Sequence, residues 1–204
     1  MATEIQLIVC DFGGVICSFD YRIFCERLAR RVGGTAEAIH AQVFRDSLQQ
    51  EFERGRLSGL AYHRTVMRRL GADVPYPEFF TMYGNIFTEI PATCTLLERL
   101  HPRYPLYLLS DTNEIHFGYV LQTVGALRHF REFVVSYQLG LLKPDARIYE
   151  EVLRRSGLPA AACVFIDDRL ENVEGAVRTG MRAVRFESPP QCTAALAALG
   201  VAAR

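Results

Sequence analysis

The chain has 204 residues, half of them hydrophobic, with 23 basic and 23 acidic residues and no formal net charge. That length suits one core domain with a smaller insertion and allows a large apolar core. A neutral chain builds no whole-protein field for nucleic acid, and no apolar run approaches the ~20 residues that cross a bilayer, so neither a nucleic-acid nor a membrane partner is expected. Met1 to Ile8 carries acidic Glu4 and no basic stretch, which does not read as a signal peptide. The six cysteines are scattered without a Cys-x-x-Cys pair, which argues against a zinc site or a disulfide framework. A reducing, cytoplasmic setting follows as the expectation.

In chain order, the apolar run Gln6–Cys10 predicts the first strand. Residues 18–91 then hold amphipathic patterns at Arg22–Val32, Ala36–Leu48 and Leu60–Leu70, punctuated by Gly33-Gly34, Gly55, Gly59 and the Pro75/Pro77 pair. They predict a helical cap inserted just after strand one. Thr93–Leu100 predicts a helix with Thr93 as its N-cap. Leu106–Ser110 and Phe133–Ser136 predict the second and third strands. Asp145–Ser156 predicts a helix closed by Gly157, with Pro159 beyond it. Cys163–Ile166 predicts strand four, Glu171–Thr179 a helix ending at Gly180, Ala183–Phe186 strand five, and Thr193–Ala203 a last helix. The strands are near-continuous apolar runs, as in parallel sheets covered on both faces. Their alternation with helices predicts a doubly wound α/β core over 1–17 plus 92–204 and a cap over 18–91.

Ligands of open parallel sheets bind beyond the C-terminal strand ends. After strand one stands Asp11-Phe12-Gly13-Gly14, and at the end of strand two Ser110-Asp111-Thr112-Asn113. Lys143-Pro144 lies past strand three, and Asp167-Asp168 follows strand four. One rim therefore receives three groups of carboxylates, one hydroxyl and one ammonium. Lys143 stands out because the other 22 basic residues are all arginine; a lysine offers a compact point charge where arginine offers a wide fork. A carboxylate attacks a phosphate dianion poorly because like charges repel. A divalent cation and an ammonium offset that repulsion. Asp11 and Asp168 would supply oxygen ligands to Mg²⁺, and Lys143 would neutralise Asp11 and the phosphoryl oxygens. Ser110 and the Asp111 amide would donate to the transferring group. Attack by Asp11 would give an aspartyl-phosphate that water then hydrolyses.

The run Leu7-Ile8-Val9-Cys10-Asp11-Phe12-Gly13-Gly14-Val15-Ile16 resembles the first motif of the haloacid dehalogenase-like (HAD) superfamily. Ser110, Lys143-Pro144 and Asp167-Asp168 match its second, third and fourth motifs. The resemblance spans essentially the whole chain. It implies a Rossmann-like core with a helical cap, and a site in which Asp11, Ser110 and Lys143 are catalytic. By the same resemblance Asp11, Gly13, Asp167 and Asp168 surround Mg²⁺, and Gly14, Asp20, Asp111 and Asn113 approach the substrate. The segments Leu109–Asn113, Lys143–Tyr149 and Asp167–Ala176 look like bacterial sugar-phosphate phosphatases typified by α-D-glucose-1-phosphate phosphatase. The phosphatase domain of soluble epoxide hydrolases is similar at a greater distance. A small phosphate monoester, favouring a sugar phosphate, is the implied partner of a monomer or homodimer.

One position departs from the pattern. Most such phosphatases carry a second Asp two residues after the nucleophile, as general acid and base; this chain has Gly13 there. The Gly13 carbonyl still suits Mg²⁺, but a group typically worth ~10²–10⁴-fold is missing. Asp20 is one replacement, and equally a helix N-cap. Asn113 either touches substrate or caps a helix, Asn172 either orients Asp168 or opens a helix, and His116 is placed to line the pocket. Two alternatives stand beside the phosphatase. A metal-independent 2-haloacid dehalogenase also lacks the second Asp and would use Lys143 and Tyr149. A catalytically weak member would bind a metabolite or a protein.

Overall fold

Leu7 and Val9 point to one side of a parallel sheet, Ile8 and Cys10 to the other, and all four are buried. That two-sided burial is why the strand has no polar alternation. The computed structural model of the chain describes residues 3–202. The first strand is β1 (Leu7–Cys10). After it come β2 (Cys17–Phe19), α1 (Tyr21–Val32), α2 (Ala36–Val43), α3 (Leu48–Glu53), α4 (Gly59–Leu70), α5 (Tyr76–Gly84) and β3 (Phe87–Glu89). The chain continues through α6 (Pro91–Leu100), β4 (Leu106–Ser110), α7 (Glu114–Thr123), β5 (Phe130–Val135) and α8 (Ser136–Leu139). It ends in α9 (Ala146–Ser156), β6 (Cys163–Asp167), α10 (Leu170–Arg178), β7 (Arg182–Arg185) and α11 (Pro189–Ala198). Among the described residues no helix is long and apolar enough to cross a membrane.

The main sheet runs β5-β4-β1-β6-β7, and every neighbouring pair is parallel. Ile8, Leu108 and Ile166 meet Leu96, Leu97, Phe117 and Leu196 on one face. Val9, Leu109 and Phe165 meet Ile148, Tyr149 and Val152 on the other. Each such fully buried side chain contributes about 1.5–3 kcal/mol. The chain leaves β1 toward β4 on one side and later reaches β6 on the other. The order thus reverses at β1, which opens a crevice at its C-terminal end. The fold is the expected α/β sheet with helices on both faces.

Helices α1–α5 bury a third apolar cluster built on Phe24, Leu28, Phe52, Tyr62, Val66, Phe79 and Tyr83. Phe52 stacks on Tyr62 with centroids 4.4 Å apart. The chain enters and leaves this layer through an antiparallel ribbon in which Cys17 pairs with Glu89 and Phe19 with Phe87. The sequence does not announce this ribbon, because three-residue strands with mostly exposed side chains carry no hydrophobic period. The single helix expected over Ala36–Leu48 is two. Residues 44–47 interrupt it, and Asp46 caps the next helix by accepting from the Leu48 amide. Thr93 is no N-cap: α6 starts at Pro91, which has no N–H to satisfy, and Thr93 is buried in its first turns. The third and fifth strands lie at Phe130–Val135 and Arg182–Arg185. The last helix lies at Pro189–Ala198; Ala203, its expected end, lies outside the described residues.

His116 ties this helical layer to the sheet. Its ring stacks on Tyr83 with centroids 4.3 Å apart, its Nε2 lies 3.1 Å from the Tyr83 carbonyl, and its Nδ1 lies 3.0 Å from Asn113 Nδ2. Burial pushes its pKa down to about 3, from an ordinary 6.5. Between those values the unfolded chain binds a proton that the folded chain refuses, so falling pH favours unfolding. We expect His116→Gln to lose about 1.4 kcal/mol less stability per pH unit than the parent between pH 6 and pH 4, read by urea denaturation; parallel curves would exclude this role.

Candidate active site

Asp11 leaves β1 at the crevice. Its amide donates to the Ile166 carbonyl of β6 at 2.9 Å, which pins it to the sheet edge. Its Oδ1 accepts from the Phe12 amide at 2.7 Å. Residues 12–17 then fold into a tight loop, with the Gly14 amide donating to the Cys17 carbonyl and the Ile16 amide to the Phe12 carbonyl. Gly14 has φ +76°, a left-handed conformation that favours glycine. A Cβ there would also lie 2.5 Å from Asp168 Oδ2. The loop therefore draws Asp168 against its backbone.

Lys143 reaches into the same corner, and its side chain is 1 % exposed. Its Nζ lies 2.9 Å from Asp11 Oδ1 and 2.7 Å from Asp167 Oδ2, and it donates to the Leu109 carbonyl at 3.3 Å. Its backbone amide donates to Asp111 Oδ1 at 3.0 Å. Burial alone would lower Lys143, but the surrounding Asp11, Asp167 and Asp111 carboxylates outweigh it and hold the ammonium charged. Burial raises Asp11 above the usual carboxylate range; Lys143 pulls it down and Asp167 pushes it up again. Burial raises Asp168, and Asp167 adds to the shift.

Asp167 is fully buried at the end of β6. Besides Lys143, its oxygens accept from the Arg169 amide at 2.9 Å and twice from Asn172 Nδ2 at 3.1 Å. Asn172 thus orients Asp167, not Asp168, from within the first turn of α10. Asp11, Asp167 and Asp168 each offer a carboxylate oxygen within 4.8 Å of the others. Three carboxylates against one ammonium leave an excess of negative charge among hard oxygen donors, which fits a divalent cation.

A cavity of about 630 Å³ opens over this corner. Asp11, Gly13, Ser110, Asp111, Lys143 and Asp168 all line it, so the four strand-end stations meet at one place. Gly14 and Asp167 stand behind the lining. Asn113 does not line the cavity: it is fully buried and caps α7, its Oδ1 accepting from the His116 amide at 3.0 Å. Asp20 is likewise outside the lining; it caps α1 by accepting from the Arg22 amide at 2.8 Å. Tyr149 is buried, donates to the Asn172 carbonyl at 2.9 Å and is not part of the lining of this cavity. His116 does line it, but both ring nitrogens are engaged.

Sequence reasoning missed the opposite wall. Phe19, Tyr21, Gln49, Glu53, Arg54 and Phe87 come from α1, α3 and the ribbon. The turn-forming Arg45-Asp46-Ser47 run was the available signal for α3, and Gln49-Gln50 before buried Phe52 marked its polar side.

A family model for haloacid dehalogenase-like hydrolases matches residues 5–180. A phosphatase of Mycobacterium tuberculosis is 41 % identical over 202 residues, covering 88 % of this chain and 86 % of its own. D-ribitol-5-phosphate phosphatase of Bacteroides thetaiotaomicron is 24 % identical over 176 residues, covering 83 % and 85 %. A HAD family enzyme of the same organism, solved with magnesium and inorganic phosphate, superposes with a TM-score of 0.79. It shares 22 % identity over 90 % of this chain and 95 % of that one. The chain belongs to the haloacid dehalogenase-like hydrolase family.

Proposed function

We propose that the chain is a phosphatase of small phosphate monoesters, sugar phosphates favoured, that works through an aspartyl-phosphate on Asp11. The observation that carries this reading is the buried Lys143 ammonium held between Asp11 and Asp167, with Asp168 beside them at the cavity floor. Asp11, Asp168 and the Gly13 carbonyl would hold Mg²⁺, with Asp167 completing the acidic set. When bound, the ion offsets the repulsion between the Asp11 carboxylate and a phosphate dianion.

Asp11 is held by the Phe12 amide and by Lys143 through Oδ1 alone, which leaves Oδ2 for attack on phosphorus. Lys143, which the surrounding carboxylates hold in its charged form, brings a positive charge to the phosphoryl oxygens. Ser110, buried at the end of β4, and the Asp111 amide are the donors at the rim. Residues 18–91 serve as a cap whose inner wall meets the organic part of the substrate, over a core of 1–17 plus 92–204. The phosphatase names of the relatives support the reaction class. Tyr149, buried with its hydroxyl donated to the Asn172 carbonyl and outside the cavity lining, speaks against the dehalogenase alternative.

Asp11→Asn should remove turnover of p-nitrophenyl phosphate and of a sugar-phosphate panel, and EDTA should do the same until Mg²⁺ is restored; activity indifferent to both would sink the reading. Lys143→Met should lower kcat/KM by ~10²–10³-fold, the scale of one preorganised charge. It also leaves Asp11 and Asp167 unpaired, at about 3–5 kcal/mol of stability, so rates are normalised to folded protein; near-parent kcat/KM would refute the role. Gly14→Ala should push Asp168 aside. Mg²⁺ affinity by calorimetry should fall roughly 10–100-fold, with ~1–2 kcal/mol of stability lost to the left-handed backbone; unchanged affinity would remove Asp168 from the metal set.

A further inference from the structure

Departure of an alkoxide from phosphorus calls for a proton, and position 13 offers no side chain to give it. A Cβ at Gly13 would lie 2.9 Å from Phe19 Cε1, so an apolar ring fills the space beside it. The donor must then come from elsewhere in the cavity. Asp145 is held down to about 2 by the Arg147 side chain and amide. Burial raises Asp111 as well, but the Lys143 ammonium opposes the shift and the Lys143 amide occupies its Oδ1, so this carboxyl is bound to the charged corner. His116 has no nitrogen to spare. Glu53 remains.

Glu53 ends α3 and lines the cavity, near enough to Asp111 for their charges to interact. Gln49 Oε1 accepts from the Tyr83 hydroxyl at 2.6 Å and the Tyr62 hydroxyl at 3.1 Å. Two phenols on that oxygen turn the Gln49 amide nitrogen toward Tyr21, at 3.1 Å, and toward Glu53 Oε1, at 2.8 Å. The carboxyl is thus positioned by a neutral donor through one oxygen, and among the described residues no cation forms a salt bridge with it. The groups whose charge bears on it are Asp111, Arg169 and the phenols Tyr21, Tyr62 and Tyr83, which burial keeps neutral. Burial raises Glu53 above the ordinary carboxyl range; Gln49 opposes this, Asp111 adds to it and Arg169 opposes it. The backbone is fixed as well. The Glu53 carbonyl accepts from Ser136 Oγ at 2.7 Å, and the same Oγ accepts from the Thr112 amide at 2.9 Å. One hydroxyl thereby joins the cap residue to the turn that follows Ser110.

We propose that Glu53 is the general acid and base of the phosphoryl transfer, supplied from the cap in place of a side chain at position 13. The proposal rests on the phosphatase reading above. In the first half, Asp11 Oδ2 forms a bond to phosphorus, the bond from phosphorus to the ester oxygen breaks with its electron pair, and the Glu53 proton passes to that oxygen to release an alcohol. In the second half, the Glu53 carboxylate takes a proton from water as its oxygen bonds phosphorus. The Asp11–phosphorus bond breaks, which frees inorganic phosphate, the Asp11 carboxylate and a reprotonated Glu53.

A proton donor matters most for a basic leaving group. The test is therefore kcat/KM of Glu53→Gln on glycerol phosphate, an alkyl ester, against p-nitrophenyl phosphate, whose phenolate leaves readily. The expected loss is ~10²–10⁴-fold on the alkyl ester, at least about tenfold greater than on the aryl ester, with partial recovery in Glu53→Asp. The ratio of the two losses is independent of how much variant folds. Equal losses on both esters, or none, would overturn the proposal. Turnover that survives Asp11→Asn would instead overturn the phosphatase reading, so the two failures are separable.

Discussion

A single ammonium, buried between two carboxylates, is the constraint on which the rest of this site depends. Lys143 Nζ sits within 2.9 Å of Asp11 and 2.7 Å of Asp167, and its side chain is almost wholly buried. Burial raises Asp11 above the ordinary carboxylate range, because desolvation of a carboxylate is costly, and the ammonium pulls it back down. With Lys143 in place, the charge of a nucleophile on the cavity wall is offset from within the fold. Arginine would not serve here, because its planar fork needs a wider berth and spreads its charge. In a chain otherwise without lysine, the one retained stands where a compact charge is required.

Bringing the ammonium there takes three strands and two loops. β1 presents Asp11, β6 presents Asp167 and Asp168, and the segment after β5 returns Lys143 across the end of β4. The reversal of strand order at β1 separates the adjoining connections and leaves the crevice open. The amide of Asp111 lies at one rim of it, and Asn172 braces Asp167 from α10 with both Nδ2 contacts. Gly14 completes the corner through absence of bulk, since a methyl group would occupy the place of an Asp168 oxygen.

The core of this arrangement was legible in the residue order. Strand-end acids, a hydroxyl and a lone lysine follow apolar runs that can only be buried strands, so the rim could be assembled without coordinates. The other wall was not legible. Gln49 and Glu53 lie on a six-residue helix behind a turn at 44–47, and a continuous amphipathic pattern hid the break. The β2–β3 ribbon carries too few residues for a period to show. Asp20 and Asn113 illustrate a further limit. Both are short polar residues before a helix, and sequence cannot say whether such a side chain faces a ligand or its own backbone. Here both turn back to cap α1 and α7.

The two halves of the cavity divide the chemistry accordingly. The sheet side supplies charge, and its groups are fixed by burial and by short bonds to one another. The helical side supplies Phe19, Tyr21 and Phe87 as an apolar face, with Glu53 among them. An aromatic ring beside Gly13 and a carboxyl on α3 are therefore two parts of one exchange. Removing the side chain at position 13 makes room for the Phe19 ring near the leaving group, while the proton source moves to α3 on the same side of the cavity. On this reading the group that answers the leaving oxygen and the surface that selects it come from neighbouring elements of one segment, α3 beside α1 and the ribbon. Ser136, bonded to both Glu53 and Thr112, keeps that element in register with the rim where phosphorus would sit.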